Sequence, residues 1–228
     1  MGKDLMEDFK ISEIIRSKRK TIELIISDNA KLIVKAPDKT SIEEIYEVVK
    51  RHRRWIKKHI EFVKGLPKDK EKQFTEGESF LLLGKAYSLF LSRDSETPLK
   101  FDNGFYLDER YREKARDLFI DFYKKTAKAI ISERADYYSK LTGIEYKGIK
   151  ITSAKKRWGS CSRTNNLSFT YNLIMAPLSV IDYVVVHELC HVLEHNHSKN
   201  FWDKVKTIKP DYEDAKKWLK EKGHLLYI

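Results

Sequence analysis

Ser179 to Trp202 reads SVIDYVVVHELCHVLEHNHSKNFW, and this stretch decides the fold of the C-terminal half of the chain. From Val180 to Leu193 it is apolar nearly all round, which suits a helix that lies inside a domain and not on its surface. Ser179, with Asp182 three places on and Pro177 just before, predicts the helix opening. Polar side chains in such a helix need partners, because an unpaired imidazole or carboxylate is costly to bury. His187 and His191 are separated by about 40° around the axis and about 6 Å along it, so both rings reach one cation. Glu188 stands between them. HELCH is thus an HExxH arrangement, in which two neutral imidazoles hold Zn²⁺ and the glutamate works on the bound water. The bland alternative is a pair of core histidines satisfied by backbone or by Glu188.

A catalytic zinc takes a third protein ligand and keeps one position open. On a continuous helix His195 lies about 12 Å along the axis from His187, too far to share the ion. His197 follows Asn196, which tolerates a left-handed conformation, so the helix can end there and the chain can curl back beneath the metal. The expected set is His187, His191 and His197 as ligands with Glu188 catalytic. Ser198 then caps another helix, packed through Phe201, Trp202, Val205 and Ile208. Cys190 turns away from a metal that His191 faces; Cys161 reads as a small buried residue, with a thiolate ligand the other possibility. Asp203 and Glu194 are the nearest carboxylates that could orient the imidazoles, and backbone carbonyls would serve equally.

Upstream, IKITSAKKRWGSCS and LSFTYNLIMAP read as strands around a polar turn. Before them, Glu109 to Leu141 is a long helical pattern that stops at Gly143. FLLLGKAYSLFLS (Phe80–Ser92) predicts two strands around Gly84, and LKFDNGFYL two more around Asn103-Gly104. ISEII, TIELII and KLIVKAP suggest a small antiparallel meander with Asp28-Asn29 as a turn. Ser41 to Lys64 is one basic helix, opened by Ser41 and Glu44 and closed by Gly65 and Pro67, with a charged connector from Lys68 to Lys72.

The chain has 228 residues, 41% hydrophobic and 35% charged, with a net charge of +11. That composition excludes a disordered tail, and no apolar run reaches the length of a membrane span. The N-terminal residues offer no apolar signal segment, and two cysteines make no disulfide framework, so a cytoplasmic protein with reduced thiols is expected. The positive balance favours anionic partners, and KRHRRWIKK (Lys50–Lys58) is its densest cluster, which leaves nucleic acid open as a partner. Nothing fixes an oligomeric state.

Several motifs together resemble the YgjP-like metallopeptidases, a zincin-like family. They are KRWGSCS (Lys156–Ser162), the strand YNLI (Tyr171–Ile174), IDYVVVHELCH (Ile181–His191) and NHSKNFW (Asn196–Trp202). RSKRKTIEL, VKAP, WIKKHI and EGESFLLLGKAYSLFL upstream are similar to the family's N-terminal portion. The resemblance implies zinc on His187, His191 and His197 with Glu188 catalytic, and also a second activity, since members are described as UTP pyrophosphatases. In the nucleotide reading, Lys155, Lys156, Arg157 and Arg163 around Gly159 and Ser160 would hold phosphate oxygens. In the peptide reading, an extended substrate would add to a sheet edge at LSFTYNLI. The expected fold is α+β: a β-rich N-terminal module with one basic helix over residues 1–108, and a zincin-like module over 109–228 with a small sheet and a buried active-site helix. The expected function is a zinc-dependent hydrolase of the metallopeptidase type, with UTP pyrophosphatase and nucleic-acid-associated protease or binding protein as alternatives.

Overall fold

Every second side chain of Leu32–Pro37 is buried, and that alternation makes it the central strand of the first small sheet. The computed structural model describes residues 10–27, 30–65, 72–93 and 95–228, in two units divided between residues 68 and 69. In the first unit, β1 (Ile11–Ser17), β2 (Glu23–Ile26) and β3 (Leu32–Pro37) lie in the order β1-β3-β2. β2 pairs antiparallel with β3 as expected, but β1 runs parallel to β3, so the sheet is not a meander. Arg16 holds this pairing at its end. Its guanidinium donates to the carbonyls of Pro37, Asp38 and Thr40 at 3.3, 3.1 and 2.6 Å, which ties the C-terminal ends of β1 and β3 together. The Asp28-Asn29 turn, Pro67 and most of the charged connector lie outside the described residues.

The basic segment forms two helices, α1 (Ile42–Arg51) and α2 (Arg53–Gly65), instead of one. Ser41 caps α1 as expected, its Oγ accepting from the Glu44 N–H at 3.1 Å. The break falls on His52, which leaves helical geometry at ψ 15° while its N–H still bonds the Val48 and Val49 carbonyls. Ile45, Val49 and Ile56 are buried with Leu32, Val34 and Ala36 in a core of their own. Arg51, Arg54, Lys57 and Lys58 are exposed beside Trp55.

In the second unit, β4 (Ser79–Leu82), β5 (Lys85–Ser92), β6 (Leu99–Phe101) and β7 (Phe105–Asp108) form a sheet ordered β4-β5-β7-β6. The two hairpins turn at Gly84 and at Asn103-Gly104, where the sequence marks them. These strands were expected in an N-terminal module ending at residue 108, but the division falls at 68/69. Phe80, Leu89, Phe105 and Leu107 share one core with the residues that follow, and Phe80 stacks on Phe119 at 4.3 Å. The β4–β5 turn is also pinned from the far end of the chain: the N–H groups of Leu83 and Gly84 donate to the carbonyls of Ile174 and Met175. Gly84 adopts φ +79°, and a Cβ there would lie 2.8 Å from Pro177 Cγ, so both conformation and space call for glycine.

A 3₁₀ turn, Glu109–Lys114, leads into α3 (Ala115–Thr142), which ends at Gly143 in the left-handed conformation. The small sheet expected next is β8 (Gly148–Thr152), β9 (Gly159–Cys161) and β10 (Asn166–Thr170), ordered β8-β10-β9. β10 is parallel to β8 and antiparallel to β9. LSFTYNLI is therefore central and offers no free edge; the edge beside α4 (Leu178–Leu193) is β9. Nor is YNLI a strand. Tyr171–Met175 form a buried 3₁₀ turn that carries the chain from the sheet into α4. α5 (Lys199–Ile208) and α6 (Tyr212–Lys222) complete the unit.

α4 is buried along most of its length, as its apolar sequence demands. Its start differs from the expected cap: Pro177 occupies the cap position and no side chain closes it. Asp182 instead accepts a forked pair of hydrogen bonds from Arg134 on α3, at 2.6 and 2.9 Å. This is the main polar tie between the two helices. Arg134→Met would leave the Asp182 carboxylate in a largely enclosed position without its cation, and should lower unfolding free energy by about 2–4 kcal/mol in urea titration.

Candidate metal centre

His187 and His191 sit one turn apart on α4, and His197 lies in the short link to α5. α4 ends at Leu193, earlier than the expected stop at Asn196, because Glu194 turns extended at φ −133°. That turn has a consequence for the site. The Glu194 carbonyl now accepts from His191 Nδ1 at 2.9 Å, so Nδ1 carries the proton and Nε2 is left with its lone pair. The orienting group is a backbone carbonyl; the Glu194 carboxylate points instead to Lys204, 3.9 Å away. Asn196 Oδ1 accepts from the Ser198 N–H at 3.0 Å and Ser198 Oγ caps α5, which together bring His197 back toward α4. His195 is exposed and takes no part.

The three Nε2 atoms form a nearly equilateral triangle: 3.2 Å from His191 to His187, 3.2 Å from His191 to His197, and 3.0 Å from His197 to His187. A tetrahedral ion with Zn–N bonds of about 2.0–2.1 Å sets its ligands about 3.3 Å apart, so these donors fit one such ion. Burial, then the two neighbouring imidazoles and Lys216, hold His187 down to about 3, and burial lowers His197 as well. Neutral imidazoles are the form a cation binds. Aromatic rings fix their orientation: Phe201 stacks on His191 at 4.5 Å, Trp202 on His197 at 5.7 Å, and Tyr183 meets His187 edge-on at 5.9 Å.

Glu188 is only 5% exposed, and its carboxylate lies against Gly159 of β9. Burial pushes the carboxyl up to about 8, against the pull of the Arg157 charge, and Oε2 has no hydrogen-bond partner. Cys161 shares Gly159's side of the strand by alternation; burial and then the Glu188 charge push its thiol up. Burial raises Cys190 to about 11. Neither sulfur joins the triad, and among the described residues the three histidines alone converge closely enough to hold an ion.

The candidate anion-binding residues are divided by the fold. Lys155, Lys156 and Arg157 are exposed in the link between β8 and β9, whereas Arg163 is exposed beyond the other end of β9. Of the four, Arg157 is the one whose charge is felt at Glu188. Two site residues escape a reading of the sequence by motif. Tyr183 could have been found, since it lies four residues before His187 on the same helix face. Gly159 stands out in the sequence only as part of a turn that would hold phosphate; its place against Glu188, 29 positions away, is met only across space.

A family model described as the YgjP-like metallopeptidase domain matches residues 20–222. The chain belongs to the YgjP-like metallopeptidase family. The YgjP-like chain is accordingly a metal-dependent hydrolase of the metallopeptidase type, α+β in fold. Among solved structures, the metallopeptidase zymogen abylysin of Pyrococcus abyssi is similar at 15% identity and TM-score 0.37, over 40% of this chain and 93% of that one. No curated protein matches. No helix among the described residues of this YgjP-like chain is long and apolar enough to cross a membrane.

Proposed function

We propose that the protein is a zinc peptidase, with His187, His191 and His197 holding the ion and Glu188 as general base. The observation that carries this is the triangle of Nε2 atoms with 3.0–3.2 Å edges, together with the buried carboxylate of Glu188, next to His187 on the same helix. A bound zinc ion would acidify one water and polarise the scissile carbonyl. Glu188 takes the proton of the attacking water and passes it to the leaving amine, a transfer that its enclosure shields from bulk solvent. Tyr183, Phe201 and Trp202 hold the imidazoles in their rotamers while this happens. The outer edge of β9 offers backbone N–H and C=O groups to an extended polypeptide, next to Glu188. That strand replaces LSFTYNLI as the docking edge.

Arg157 gives the nucleotide reading its one support, a positive charge close enough to act on Glu188. A single panel separates the substrates: unfolded polypeptide and the four ribonucleoside triphosphates, each assayed with zinc and with magnesium. Cleavage of polypeptide with zinc is expected. Pyrophosphate released from UTP would move the function to a nucleotide pyrophosphatase on the same residues. Steeply salt-dependent DNA affinity, lost when Arg51, Arg53 and Arg54 are neutralised, would instead mark a nucleic-acid-associated protease.

A further inference from the structure

A glycine inside a β-strand has to be explained, since it weakens the strand and packs nothing. Gly159 opens β9 in register with Phe169 of β10, and the Trp158 carbonyl just before it accepts from the Thr170 N–H at 2.9 Å. Its backbone does not require glycine, because its φ lies outside the left-handed region. Space does. A Cβ on Gly159 would stand 2.6 Å from Glu188 Cγ, 2.6 Å from Oε1 and 2.9 Å from Cδ. All three atoms belong to one side chain, and it is 5% exposed, so it has little room to swing aside.

We infer that Gly159 is a positioning residue, whose missing side chain sets where the Glu188 carboxylate rests. This rests on the reading of Glu188 as the base. Relieving a 2.6 Å contact to an ordinary van der Waals distance moves the carboxylate by about 0.8 Å, and misplacements of about 1 Å in an active site cost about 100-fold in rate. The glycine of the KRWGSCS motif therefore serves the base on α4, whatever its neighbours Lys156 and Arg157 do.

The test is a double-mutant cycle on the full chain, comparing wild type, Gly159→Ala, Glu188→Ala and the double variant, with Glu188→Gln alongside. Gly159→Ala is expected to lower kcat about 100-fold with KM and metal stoichiometry little changed. It should also lower Tm, and that loss should vanish in the Glu188→Ala background, where the space has been vacated. If the single variant does not fold, a folded double variant shows that the clash is with Glu188, and a double variant that also fails to fold overturns the inference. An equal Tm loss in both backgrounds would show that the strand itself resents the methyl group, and would overturn the inference. So would a coupled Tm loss with kcat intact. Full turnover by Glu188→Gln would remove the base and its positioning together, but would leave the Tm cycle standing, so the two failures are told apart.

Discussion

Glu188→Gln is expected to keep its metal and lose turnover by about 10²–10⁴-fold, the share that a positioned general base contributes. The amide has the carboxylate's shape, so it still fits between α4 and Gly159, where a larger side chain would not. It cannot take a proton from water at neutral pH. Stability should not suffer. Glu188 is buried with Oε2 unpartnered, and the amide takes the carboxyl's place at equal volume, so no cavity opens and no charge is added to the interior. Three measurements on one preparation decide it: elemental analysis for one metal per chain, a thermal melt at or above the wild-type midpoint, and single-turnover hydrolysis of whichever substrate the panel identifies. A variant with full metal and full turnover would take the glutamate out of the chemistry. One without metal would show that the residue supports the ligands.

The convergence of His187, His191 and His197 was legible because local rules fix most of it. A helix puts residues four apart on one face, tetrahedral coordination bounds the reach to the third ligand, and those limits single out His197 over His195. Hydrophobic pattern and turn residues likewise fix the hairpins at Gly84 and Asn103-Gly104, and the cap at Ser41. What stayed hidden depends on partners distant in sequence. β1 pairs parallel with β3, and Arg16 ties its end to the carbonyl of Pro37 at the end of β3 and to those of Asp38 and Thr40 beyond it; no alternation of side chains reveals that. The division at 68/69 follows from Phe80 stacking on Phe119 and from the Gly84 turn meeting Pro177, contacts spanning 39 and 93 positions. β9 is three residues long, Gly-Ser-Cys, too short and too small to announce a strand. Its edge position emerges only once β10 is seen to pair on both sides.

His197→Ala is expected to abolish stabilisation by metal while leaving the metal-free fold almost unchanged. His197 is exposed, so truncating it removes little packing. His187 and His191 lie on the buried helix and would confuse loss of metal with loss of core. In the wild type, zinc at 1,000 times its dissociation constant adds about 4 kcal/mol to the folded state. For a unit of about 160 residues that is a Tm rise of roughly 8–16 °C, reversed by a chelator. The variant keeps two of three imidazoles and loses the closed triangle, so its midpoint should be the same with zinc and with chelator, close to that of the stripped wild type. Core histidines satisfied by protein groups alone would behave in the opposite way. The wild type would then ignore the chelator, and His197→Ala would cost the same with or without zinc. His191 Nδ1 already donates to the Glu194 carbonyl, so only its Nε2 remains to be satisfied, and the midpoint difference reports whether a cation satisfies it.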